Sequence, residues 1–101
     1  MFTLITAAST SKAYSLKNSL GSEPVLLGDY AALPAVFINS GKLIQLPDPA
    51  GQSYVHQFLA LCLDRNIDKI WPLDSREQDL LLNSAQLFAE YGITIIINDQ
   101  L

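Results

Sequence analysis

The feature that most constrains this chain is an alternation: short strand-like runs are separated, one after another, by segments with helical spacing and helix caps. Residues 2–8 carry Phe2, Leu4, Ile5, Ala7 and Ala8, residues 25–29 are almost wholly apolar, and residues 93–97 read Ile-Thr-Ile-Ile-Ile. A strand with one face in water alternates apolar and polar residues. A run without that alternation is covered on both faces, as in a parallel sheet held between helix layers. The β-branched side chains of residues 93–97 suit extended backbone. Residues 42–46, ended by Pro47, read as a short edge strand, and residues 67–73 as a further strand.

The intervening segments carry the punctuation of helices. Ser9, Thr10 and Ser11 offer N-caps, and Ala13, Leu16 and Leu20 keep helical spacing up to Gly21. Pro24 opens the second strand, where no ladder donor is yet needed. Residues 31–39 are short and mixed, with room for one helical turn. Asp48 followed by Pro49 predicts a helix start, running to about residue 66 with Val55, Phe58, Leu59 and Cys62 inward. Asp74 with Glu77, or Ser75 with Gln78, has capping-box spacing, and the third long helix turns Leu81, Ala85 and Phe88 inward before Gly92. Strands alternating with helices imply an α/β fold with a parallel sheet wound by right-handed crossovers.

A length of 101 residues predicts one domain, spanning 1–101, with a single core. Half of its residues are hydrophobic and its mean hydropathy is +0.24. That exceeds what so small an interior can hold, so exposed apolar surface of the kind that marks interaction sites is expected. The net charge is -4 and the six Lys and Arg residues are scattered, which argues against nucleic-acid binding. A lone cysteine, Cys62, and a lone histidine, His56, exclude an internal disulfide and a Cys/His zinc site and point to a reducing, cytoplasmic setting. Residues 1–8 lack the basic region of a signal peptide, and no apolar run approaches the roughly 20 residues that span a membrane.

The order and punctuation of these elements resemble the pre-ATP-grasp domain that precedes the catalytic module in carbamoyl-phosphate-synthase-like, biotin-carboxylase-like and other ATP-grasp ligases. The matching stretches are LITAAS at 4–9, LLGDY at 26–30, LPAVFINSGKLIQLP at 33–47, the segment 54–81, and LFAEYGITIIIND at 87–99. The resemblance covers residues 2–99 and implies a three-layer, Rossmann-like sheet of about five strands in the order 3-2-1-4-5, with helices on both faces. In the resembling ligases a linker and the ATP-grasp module follow at the position of Leu101, so the expectation is a pre-ATP-grasp-like domain without that module. The nucleotide-clamping lysines and magnesium ligands belong to that module, so no catalytic, metal or cofactor residue carries over.

In an open parallel sheet, ligands bind beyond the carboxyl ends of the strands where the chain changes direction, here between the first and fourth strands. Amides at the start of the first helix, with the hydroxyls of Ser9, Thr10 and Ser11, can hold an anion or carboxylate there, or these residues simply cap the helix. Asp29 stands where a dinucleotide-binding acid would meet a ribose. However, residues 7–12 lack the glycines such a site needs, so a solvated strand-end acid is the simpler reading. Asp74 and Glu77 are either a capping box or paired carboxylates, and in the resembling ligases acids near this turn shape the interdomain active site. Trp71 and Pro72 are candidate interface residues, with core packing the competing role for Trp71. His56 and Cys62 have no partners at ligand spacing. The expected function is a noncatalytic module that docks on an ATP-grasp subunit or on a second copy of itself, with no cofactor. The alternative is a stand-alone binder of a small ligand at the carboxyl-end crevice.

Overall fold

The computed structural model describes residues 2–8, 10–21, 24–31, 35–39 and 43–97. Five parallel strands form one sheet: β1 (Phe2–Ile5), β2 (Val25–Asp29), β3 (Leu43–Gln45), β4 (Ile67–Trp71) and β5 (Thr94–Ile95), in the order β3-β2-β1-β4-β5. The helices are α1 (Ser11–Ser19), α2 (Ala35–Asn39), α3 (Tyr54–Asp64), α4 (Ser75–Asn83) and α5 (Ala85–Glu90). The fold class is therefore the Rossmann-like α/β sheet expected.

Because strand side chains alternate between faces, the central strands feed two separate apolar clusters. On one side, Ala13 and Leu16 of α1 cover Ile5 and Leu27, with Val25, Leu43 and Trp71 packed around them. On the other side, Leu4, Ile44 and Ile70 meet Phe58 and Cys62 of α3, Leu81 of α4 and Phe88 of α5. Phe58 and Phe88 are fully buried and meet edge to face at 6.3 Å, and Tyr54 tilts onto Phe58 at 5.5 Å. Gly28 lets β2 pass close to the chain leaving β3, since a Cβ there would lie 2.9 Å from Leu46 Cγ and 3.0 Å from the Ile44 carbonyl oxygen.

Several boundaries differ from the sequence reading. The third helix does not begin at Asp48. Asp48-Pro49-Ala50-Gly51 has the composition of a type I turn, with Asp48 accepting from the amides of Ala50 (2.9 Å, Oδ1) and Gly51 (2.9 Å, backbone). That turn delays α3 to Tyr54. The last long helix is broken at Ser84, whose amide bonds Leu81 O at 3.1 Å, because Asn83 and Ser84 are two weak helix formers in succession. The strand expected over residues 93–97 pairs with β4 only at Thr94 and Ile95, with Ile96 N adding one bond to Ile70 O. Finally, β3 (Leu43–Gln45) stops one residue short of the expected Leu46, and the start expected at Lys42 lies outside the described residues. Val55 and Ala85, expected inward, are part-exposed. No helix among the described residues is long and apolar enough to cross a membrane.

Candidate functional site

The carboxyl ends of β1, β2 and β4 converge on a polar cluster set into an otherwise apolar sheet. Thr6, just past β1, is fully buried, and its Oγ1 accepts the Leu73 amide at 2.9 Å, tying β1 to the turn after β4. Gln78 donates from Nε2 to the Pro72 carbonyl at 2.9 Å and holds the same turn from α4. At the end of β2, buried Asp29 accepts the Ala31 amide at 3.1 Å, while Gln45 Nε2 lies within 3.1–3.2 Å of the carbonyls of Asp29, Tyr30 and Ala31. Ala7 takes a left-handed φ of 53° at this point, a conformation that costs a non-glycine residue about 1 kcal/mol or more.

Asp74 and Glu77 form half of a capping box. Asp74 Oδ2 accepts the amides of Arg76 (3.1 Å) and Glu77 (3.2 Å), capping α4. Glu77 does not reciprocate: its side chain turns inward, where Oε2 accepts the Tyr54 hydroxyl at 3.0 Å and Oε1 has no hydrogen-bond partner. Burial pushes the Glu77 carboxyl up to about 7. Asp74 and Asp29 add to the rise, and the hydroxyls of Tyr54 and Thr6 oppose it. Burial, then the neighbouring Glu77, raises the Tyr54 phenol well above its usual range. Tyr30 reaches Asp74 Oδ1 at 3.4 Å, and the negative charge of Asp74 raises its phenol as well.

The structure thus groups Asp29, Asp74 and Glu77 at the carboxyl ends of β2 and β4, with Asp29 and Glu77 buried, whereas the first helix start contributes less than its sequence suggests. The hydroxyl of Thr10 is spent on the Ala7 carbonyl at 2.7 Å, and α1 has no side-chain cap bond. Ser11 is exposed, and Ser9 lies outside the described residues. Trp71 is part-exposed against the α1 cluster, and Pro72 is fully buried. Cys62 is buried and its thiol pushed up to about 12 by burial, which makes it a packing residue. Tyr54, Thr6 and Tyr30 were missed by sequence reasoning. The available signal was Thr6 itself, a polar residue inside an apolar run at the end of a strand. Among the described residues no group of three or more His, Cys, Asp or Glu is placed to hold a metal ion.

The β4–β5 end of the sheet has a second feature. Lys69 pairs in register with Thr94, and both point to the side that α1 covers over β1 and β2. There Thr94 is exposed, and Lys69 and Trp71 are part-exposed.

Fold and crevice together define a Rossmann-like α/β parallel-sheet domain with an acidic switch point. No family model matches the chain, and no curated protein matches it significantly.

Proposed function

We propose that these residues form a noncatalytic, pre-ATP-grasp-like docking module that works in the cytoplasm by holding an ATP-grasp subunit, or a second copy of itself, against the β4–β5 side of its sheet. The observation that carries this reading is the thin cover on that side: Thr94 is exposed and Lys69 and Trp71 are part-exposed. The resemblance at residues 2–99 supplies the class of partner. A stable pair would bury roughly 1,200 Å² or more with an apolar centre. The test is light scattering at micromolar concentration and titration against a purified ATP-grasp module. Thr94→Arg is expected to abolish association without lowering the melting temperature, since the residue is exposed. A strictly monomeric protein that also ignores the module would overturn the reading.

The orphaned Glu77 oxygen favours a second reading, a small-ligand binder at the carboxyl-end crevice. With Asp29, Asp74 and Glu77 converging there, a ligand bearing hydrogen-bond donors or positive charge suits the crevice better than the anion suggested by the first helix start. Thermal-shift titration with small amines against inorganic phosphate separates the two chemistries, and a shift with phosphate alone would sink this version.

A further inference from the structure

Glu77 lies in the first turn of α4, wholly removed from solvent, yet only one of its two carboxyl oxygens has a partner. That partner, Tyr54, belongs to the first turn of α3, so the bond is a cross-tie between the two helices on this side of the sheet. Only two hydroxyls, those of Tyr54 and Thr6, favour a negative charge there, and no basic group is among the neighbours that act on it. From α3 come the Tyr54 phenol and, behind it, the Cys62 thiol, and from the α4 cap comes Asp74, with Tyr30 beyond it. From β2 comes Asp29, and β1 presents only the hydroxyl of Thr6. Arg76, on the same turn of α4, is exposed, and its charge bears on Tyr30. A buried carboxylate beside two acids costs far more than a neutral carboxyl in the same place.

We propose that Glu77 is a proton-operated latch: protonated, it keeps α4 closed on α3 across the carboxyl ends of β1 and β4, and ionised, it loosens that seam. The proton comes from solvent and sits on Oε1, because Oε2 already accepts from Tyr54. Loss of the proton leaves a full charge opposed by burial and two nearby acids and favoured only by the hydroxyls of Tyr54 and Thr6, and the charge is relieved by moving the first turn of α4 toward water. Asp74 and the 72–74 turn move with it. Trp71, the only tryptophan, stands three residues before the Asp74 cap and reports the motion.

The latch sets the direction of the pH effect. The folded-state affinity of Glu77 for its proton is raised, so the stability it contributes is present below the ordinary glutamate range and is lost as pH rises toward about 7. The experiment follows the carboxyl resonance of Glu77 in 13C-labelled protein, Trp71 fluorescence and the melting temperature between pH 5 and 8. A carboxyl midpoint near pH 7 is expected, with Trp71 emission changing over the same interval and the melting temperature falling across it. In Glu77→Gln, whose side chain mimics the neutral acid, the fluorescence change and the fall in melting temperature should both vanish. In Tyr54→Phe the midpoint should move up, because the hydrogen bond that favours the ionised form is gone, a response a merely space-filling Tyr54 would not give. Titration of Glu77 in the ordinary carboxylate range would overturn the proposal, and that measurement needs no variant to fold. Persistence of the pH-dependent change in Glu77→Gln would overturn it equally.

Discussion

Single side chains at the crevice carry energies comparable with a large part of a small domain's stability. Raising a carboxyl from its ordinary range to about 7 corresponds to roughly 3 kcal/mol as an upper bound, withdrawn between about pH 4.5 and 7. Glu77→Gln should therefore match the parent protein near pH 5 and exceed it at pH 8, measured by urea denaturation at each pH. Asp74 acts through a different term, since it satisfies two amides at the start of α4. Asp74→Ala is expected to cost about 1 kcal/mol, within the 0.5–2 range for lost caps, and it also removes an acid that raises Glu77. Its carboxyl titration should accordingly move down. A midpoint that stays fixed would show that burial alone sets the shift.

At the scale of elements, the two faces of the sheet depend on a few contacts between helix and strand. Phe58 and Phe88 are both fully buried and join α3 to α5 over β4 and β5. Either Phe→Ala change is expected to cost about 3–5 kcal/mol, because each leaves a cavity in a core that cannot collapse around it. A denaturation midpoint shift worth under 1 kcal/mol at both sites would contradict this packing. Gly28 is the opposite case, a position with no room. A methyl group there meets Leu46 at 2.9 Å and the Ile44 backbone oxygen at 3.0 Å. Gly28→Ala should destabilise by about 1–3 kcal/mol through overpacking, and should leave the far edge at β5 unchanged in amide hydrogen exchange. The helices themselves were legible where their signals are local. Ala13 and Leu16 are buried as their spacing predicts, and Asp74 caps α4. The Asp48-Pro49 pair misled because the same two residues also open a turn, closed here by the Gly51 amide on the Asp48 carbonyl.

For the molecule as a whole, the docking reading and a noncatalytic role make a joint prediction. The 101-residue protein should hydrolyse no ATP, and magnesium-ATP should leave its melting temperature unchanged. A nucleotide held at 100 times its dissociation constant would add about 2.7 kcal/mol. A shift of that size would displace the docking module in favour of a nucleotide-binding one.

Sequence alone determined the α/β class, the parallel sheet and the inward residues Leu16, Phe58, Leu81 and Phe88. Strand-like runs, helical spacing and caps are written within a few residues of one another, and local backbone preference reads them directly. The strand order 3-2-1-4-5 was legible only through the family resemblance. The crevice belonged to tertiary structure. Tyr54 meets Glu77 across 23 positions, Tyr30 meets Asp74 across 44, and Thr6 meets Leu73 across 67. None of these pairings leaves a periodic trace in the chain. The spacing of Asp74 and Glu77 specified a reciprocal capping box, but only the packing of α3 against α4 placed a hydroxyl beside Glu77 and drew its carboxyl inward. Burial, which turns an ordinary glutamate into a group that titrates near neutrality, is a property of everything folded around a residue and so cannot be read from the residue's own neighbours in sequence.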